Sequence, residues 1–183
     1  IPDDDIRQVA SGPTLVTPGT IRDAMRAIDD YKIVIPENIM RFFHAEKVDT
    51  PTPDDPYFAG NDQELLASAS KSMKSVVKEI QATDIKVVVI SDQSEGEARN
   101  VALEHLKIIQ DYFSKNNLSS GEKIIFLSGG ETSVTISNPE GKGGRNGEYL
   151  LSLALALETA NLRSFVAIAA DTDGIDGTES NAG

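Results

Sequence analysis

The segment Ala170-Asp171-Thr172-Asp173-Gly174-Ile175-Asp176-Gly177 places three carboxylates close together at the end of an apolar run. Carboxylates at the C-terminal end of a buried strand are well placed to hold Mg²⁺, which takes one or two of them together with phosphate oxygens. The spacing of Asp171, Asp173 and Asp176 is not that of an EF-hand, because the third Asp comes one residue late and no Glu stands at the twelfth position. A second stretch, Gly143-Gly144-Arg145-Asn146, opens a Leu/Ala-rich run. There Arg145 would stand at a helix start whose free N–H groups already favour an anion, and its guanidinium can grip a carboxylate or phosphate bidentately. The third stretch, Ser128-Gly129-Gly130-Glu131-Thr132, follows another apolar run, and its glycines allow close backbone approach by a ligand. Together these groups suit a phosphorylated ligand held with a divalent metal.

Each stretch also has a plainer reading. Gly129-Gly130 can be a hairpin turn, Arg145 a solvated surface residue, and the Asp loop an Asx-type turn. Two phosphate signatures are excluded: Gly141-Lys142 is followed by Gly143 rather than Ser or Thr, and the spacing of Gly141, Gly143 and Gly147 misses the dinucleotide fingerprint by one residue. Asp92 and Glu95 suit a helix N-terminus and could support the site from behind. His105 falls among apolar helical positions and reads as a partly buried structural residue.

Composition narrows the field further. Lys and Arg total 17 against 29 Asp and Glu, a net charge of −12, and no basic stripe with interleaved aromatics is present, so nucleic acid is not an expected partner. With no Cys and only His44 and His105, far apart, neither a thiolate nor a His-based zinc site is expected. The apolar run over 149–157 is too short to span a bilayer and no secretory leader is visible, so a cytoplasmic protein is expected. The chain opens on Ile1 rather than Met and stops soon after its Asp loop, which predicts a piece of a larger protein.

The elements that would position these loops follow from periodicity. A helix is expected over about 20–30, and the Pro- and Asp-rich stretch 49–56 reads as a linker. From residue 57 onward the pattern predicts a helix through residue 80 capped by Asn61 with Glu64, a strand over 85–90 and a helix over 95–113. A strand over 123–127 follows, then an alternating strand over 132–136 in position to pair antiparallel with it, a helix over about 146–159 and a strand over 165–169. The fold class is therefore α/β: a three-layer αβα, Rossmann-like arrangement with a mostly parallel, mixed sheet over 55–183. The end of another α/β domain plus linker precedes it over 1–54.

The three loops, in their order, resemble the MOFRL-type (type II) glycerate kinases, with Glu148 extending the Arg145 match. Ser11-Gly12-Pro13-Thr14 and Ser91-Asp92 with Glu95-Gly96-Glu97-Ala98-Arg99 resemble the same family. The resemblance implies ATP- and Mg²⁺-dependent phosphorylation of glycerate to 2-phosphoglycerate, with the MOFRL segment over about 121–183. By the same resemblance, Arg145 and Asp171 are expected to be catalytic. Ser128, Gly129, Gly130, Glu131, Gly144, Asn146, Ser11, Gly12 and Thr14 are expected to bind substrate or nucleotide, and Asp171, Asp173 and Asp176 the metal. A catalytic Lys is expected in a preceding N-terminal half. Gly147 departs from the family, which usually carries Gln there. Two other functions stay open: NAD(P)H-dependent hydroxypyruvate reduction, and non-catalytic small-molecule binding. The expected partners are ATP and glycerate or a similar small hydroxy acid, with no membrane, and an oligomer is compatible with the sequence.

Overall fold

The computed structural model describes residues 5–7, 14–16, 19–45, 51–52, 55–181 and 183. Two compact units divide the chain, one within Asp5–Leu65 and the other within Leu66–Gly183.

In the first unit, helix α1 (Ile21–Asp30) starts at a capping box. The Asp23 N–H donates to Thr20 Oγ1 at 3.2 Å, and the Thr20 N–H donates to the Asp23 carboxylate at 2.9 Å. Helix α2 (Glu37–His44), which periodicity did not separate, begins directly after Pro36, whose fixed φ suits a helix entrance. Asn61 caps no helix. Its side-chain amide instead donates to the Thr14 carbonyl at 3.1 Å.

The second unit begins with helix α3 (Ala69–Ile80), capped by Ser68, whose hydroxyl accepts from the Lys71 N–H. The residues between Asn61 and Ser68 carry no helix, so the periodic apolar positions before Ala69 overstate it. Strand β1 (Lys86–Glu97) and helix α4 (Ala98–Lys115) lead to strand β2 (Ile124–Ser133), and β2 pairs parallel with β1 from Lys86↔Ile124 to Glu97↔Ser133. A βαβ crossover of this kind is how a chain forms a parallel pair. The protein is thus α/β, with helices on a parallel sheet.

This pairing overturns the expected antiparallel strand over 132–136. Thr132 and Ser133 continue β2 and pair with Gly96 and Glu97. Gly129 and Gly130 therefore lie inside a strand, not in a turn. Irregularities between Val89 and Ser91 and between Ser91 and Ser94 absorb the mismatch where the two strands leave their apolar halves. Strand β1 is covered only in part, Val89 being half exposed.

Helix α5 (Arg145–Thr159) packs on α4, and Ala102, Leu106 and Leu153 form the centre of that interface. The α4 residues Ala98, Val101, Ala102, His105, Leu106 and Ile109 are all buried. Burying a large aliphatic side chain contributes about 1.5–3 kcal/mol, so this helix pair anchors the unit. The expected strand over 165–169 has no ladder among the described residues, and Val166 and Ile168 are almost fully exposed. No helix among the described residues is long and apolar enough to cross a membrane.

Candidate active site around Arg145

The first turn of α5 organises the site. Gly144 precedes it without offering a side-chain cap, and the cap comes from a residue distant in sequence. The carboxylate of Asp176 accepts from the Asn146 N–H through Oδ1 and from the Gly147 N–H through Oδ2, each at 2.9 Å. A helix N-terminus favours an anion because its first N–H groups lack intrahelical partners. Here that anion belongs to the chain itself, and Asp176 is only 2 % exposed. The expected open anion site at this helix start is therefore filled. Asp176, expected among the metal ligands, has both oxygens engaged as a cap.

The approach is close because Gly144 has no side chain. A Cβ on Gly144 would stand 2.4 Å from Asp176 Oδ1 and 2.5 Å from the Gly177 nitrogen, with no flexible neighbour to yield. Thr178 straps the same two segments together, its Oγ1 accepting from the Gly143 N–H at 3.0 Å and its own N–H donating to the Gly143 carbonyl at 3.2 Å.

With the Asp loop docked on α5, Asp171 meets the helix's first two side chains. Arg145 donates to Asp171 Oδ1 from Nη2 at 2.6 Å, and its Nε lies 3.2 Å from both carboxylate oxygens. The side-chain amide of Asn146 donates to Asp171 Oδ2 at 2.8 Å. From the other side, Arg145 Nη1 donates to Glu131 Oε1 at 2.6 Å. Hydrogen bonds donated to Asp171 and then to Glu131 hold the guanidinium firmly in its charged form, against a smaller opposing effect of burial. These contacts engage all three nitrogens and use three of the five N–H groups, one on each. The Asp171 side chain is mostly buried at 15 % exposure and Glu131 is half exposed at 51 %, so the cluster opens on its Glu131 side.

Asp173 uses Oδ1 within its own loop, accepting from the Ile175 N–H at 3.0 Å. Among the described residues no group of three His, Asp or Glu side chains converges as a ready metal cage.

The glycines of β2 serve packing on the side where a side chain would stand. A Cβ on Gly129 would meet the Met73 sulfur at 2.9 Å, and one on Gly130, at φ +143°, would meet the Ser94 backbone at 2.2–2.3 Å. The Ser128 hydroxyl also turns inward, 2.9 Å from Ser94 Oγ and 3.4 Å from His105 Nε2. Of the sequence-predicted residues, the structure thus brings together Arg145, Asn146, Asp171 and Glu131, with Gly144 and Asp176 as their scaffold. Thr14 belongs to the other compact unit, and Ser11 and Gly12 lie outside the described residues. Periodicity singled out neither Tyr149, whose hydroxyl meets His105 Nδ1 at 2.9 Å, nor Thr178. Neither carries a local signal, because the partners that give them meaning are more than thirty residues away in sequence.

Known proteins share this arrangement of segments. A model of the MOFRL family matches residues 124–183, and a model described as a domain of unknown function, DUF4147, matches residues 1–44. The chain is 34 % identical to an Agrobacterium vitis protein named "Putative hydroxypyruvate reductase", covering 100 % of this chain and 46 % of that protein. It is 32 % identical to a glycerate 2-kinase of Pyrococcus horikoshii, over 98 % of this chain and 41 % of that protein. The crystal structure of a glycerate kinase from Thermotoga maritima superposes with a TM-score of 0.67 at 25 % identity, covering 100 % of this chain and 42 % of that one. The chain therefore spans less than half the length of each of these relatives.

Proposed function

We propose, from the premise that this chain belongs to the MOFRL-type glycerate kinase family, that it supplies the Arg145 side of the active site of an ATP-dependent glycerate 2-kinase. The observation that carries this reading is the fork of Arg145 held between Asp171 and Glu131. Phosphoryl transfer asks the protein mainly to position two reactants and to neutralise charge on the transferring group. A guanidinium fixed in orientation by Asp171 and Asn146 meets that need without reorganising during the reaction. In this reading Arg145 holds the glycerate carboxylate or the transferring phosphoryl, and the half-exposed Glu131 is the partner that gives way to the arriving anion.

Asp171 and Asp173 fit the modest demand of Mg²⁺, which takes one or two carboxylates and completes its shell with phosphate oxygens and water. Asp171 and Asp176 each accept hydrogen bonds on both oxygens, from Arg145 and Asn146 and from the helix start, so either would ligate the ion through a remaining lone pair; Asp176, at 2 % exposure, is the less accessible of the two. When bound with nucleotide, the ion supplies charge neutralisation across the phosphates. The residues of this chain supply the rest: Asp171 orients Arg145, and Gly144 lets the Asp loop lie on the helix.

The Agrobacterium vitis relative's name favours a second reading, reduction of hydroxypyruvate with a nicotinamide cofactor. An Arg fork would hold that substrate's carboxylate equally well. The glycine spacing that would cradle a dinucleotide is missing from the Gly141–Gly147 segment, however, so we favour phosphoryl transfer. A non-catalytic pocket would use the same fork without turnover. The test is to follow, in the full-length protein, ADP formation with glycerate and ATP against nicotinamide absorbance with hydroxypyruvate. Glycerate-dependent ADP supports the kinase, cofactor oxidation without ADP supports the reductase, and binding without either supports a sensor.

A further inference from the structure

We infer that His105 is a positioning residue for the Arg145 site, its buried imidazole tying the helix that begins at Arg145 to the strand that carries Glu131. His105 lies on α4 and is 5 % exposed. Both ring nitrogens are engaged. Nδ1 is 2.9 Å from the Tyr149 hydroxyl, and Nε2 is 3.2 Å from Ser94 Oγ and 3.4 Å from Ser128 Oγ, with the two serine oxygens 2.9 Å apart. The Tyr149 and His105 rings also pack edge-on, their centroids 5.6 Å apart.

The partners stand at telling places. Tyr149 follows Arg145 by four positions, about one helical turn, so it shares a face of α5 with it. Ser128 precedes Glu131 by three positions on β2, and Ser94 on β1 is the register partner of Gly130. Arg145 and Glu131 meet directly only on the open side of the cluster. The His105 network joins the same two elements from within.

Each contact can carry one proton. A neutral imidazole offers one donor and one acceptor. With Tyr149 donating to Nδ1, Nε2–H donates to a serine oxygen and one serine hydroxyl donates to the other, the second serine O–H turning out of the network. Burial holds the imidazole neutral and Tyr149 as a phenol, and a nearby Glu104 opposes this only weakly at the ring. Deleting Tyr149 takes the partner from the buried His105 Nδ1, and deleting His105 unties the partly buried Tyr149 from the two serines, which shifts the elements they hold. An ordinary core histidine would cost stability when altered. A positioning histidine also changes how Arg145 is held.

The kinetic readout of this inference rests on the kinase reading, and a chemical readout on Arg145 does not. In the full-length protein we would compare Tyr149→Phe, His105→Gln and their combination, reading kcat, KM for ATP and melting temperature. We would also measure the rate at which phenylglyoxal labels Arg145, mapped by peptide mass spectrometry. Tyr149→Phe removes one oxygen and is the variant least liable to unfold. The expected result is a roughly tenfold fall in kcat in each single variant, on the scale of one buried hydrogen bond. KM for ATP should stay unchanged, Arg145 should be labelled severalfold faster, and the double variant should be no worse than the poorer single one, because the residues share one chain. Unchanged labelling of Arg145 in folded single variants overturns the inference, as do multiplicative losses in the double variant. Absence of glycerate phosphorylation in the unaltered protein would remove the kinase reading, and the labelling rates would still decide the role of His105.

Discussion

Asp176 caps the helix at Gly147: its Oδ2 accepts from the Gly147 N–H at 2.9 Å, and a Cβ on Gly147 would stand in ordinary contact with that oxygen at 3.4 Å. The family resemblance sets Gln at this position, and this spacing would admit its Cβ beside the buried carboxylate. The loop that brings Asp171 to Arg145 is anchored through this cap. The same docked loop thus carries both the cap and the Asp171 contact with Arg145.

Asp176→Asn should accordingly be a stability variant. The amide would set an N–H₂ group against one of two backbone donors, leaving a buried N–H unsatisfied at a cost of about 1–3 kcal/mol. The melting temperature of the full-length protein should fall by several degrees, while the Mg²⁺ concentration for half-maximal activity stays where it was. A raised Mg²⁺ requirement with an unchanged melting temperature would instead return Asp176 to the metal.

Arg145→Lys tests the fork. Lysine keeps the charge but reaches Asp171 and Glu131 as a point, with no planar pair of N–H groups for a carboxylate or phosphoryl. The loss in kcat/KM should be about 1.5–3 kcal/mol, the scale of a charged hydrogen bond, hence tenfold or more. Near-normal kcat/KM would remove Arg145 from the active site.

Asp171→Asn separates catalysis from turn formation. Asparagine serves an Asx turn as well as aspartate, but Asp171 accepts from Arg145 and Asn146, so a purely structural role predicts a lowered melting temperature with the Mg²⁺ requirement unchanged. In the proposed site the lost charge frees Arg145 and removes a carboxylate from the metal. Turnover should then collapse and the Mg²⁺ requirement rise, with the fold retained. Activity against Mg²⁺ concentration, beside a melting curve, distinguishes the two.

How much of this could be read from residues alone followed the range of the interactions. The Thr20–Asp23 capping box, the apolar spacing through α4 and the Leu/Ala face of α5 are local, and the corresponding helices stand within a few residues of where periodicity puts them. Pairing is not local. Nothing within Gly129-Gly130-Glu131 distinguishes a hairpin turn from a strand crowded against Ser94, and only β1 decides it. The same holds for Asp176, whose spacing from Asp171 suggested a metal while its partners lie about thirty residues back. Residue type at each loop, together with the family resemblance, marks Arg145 and Asp171 as candidates. That each holds the other could be seen only in the folded chain.

The last prediction concerns pH. Burial depresses the His105 pKa below its ordinary value, the Glu104 charge offsetting this only in part, while Tyr149, Ser94 and Ser128 face the ring as neutral groups. The folded protein therefore binds fewer protons than the unfolded chain between the lowered folded value and the unfolded value near 6.5. Stability from this group is complete above about pH 6.5 and is lost as pH falls from there through the folded value. The carboxylates of Asp23, Glu97 and Glu122 are shifted downward by hydrogen bonds from Thr20, Thr135 and Lys86, so their contributions fade at lower pH and leave the window below 6.5 to His105. Melting temperature should decline between about pH 6.5 and 5 in the unaltered protein and clearly less in His105→Gln, which retains His44. Parallel declines in the two proteins would mean that the imidazole is not held neutral by burial, and the hydrogen-bonded chain through Tyr149 would have to be redrawn.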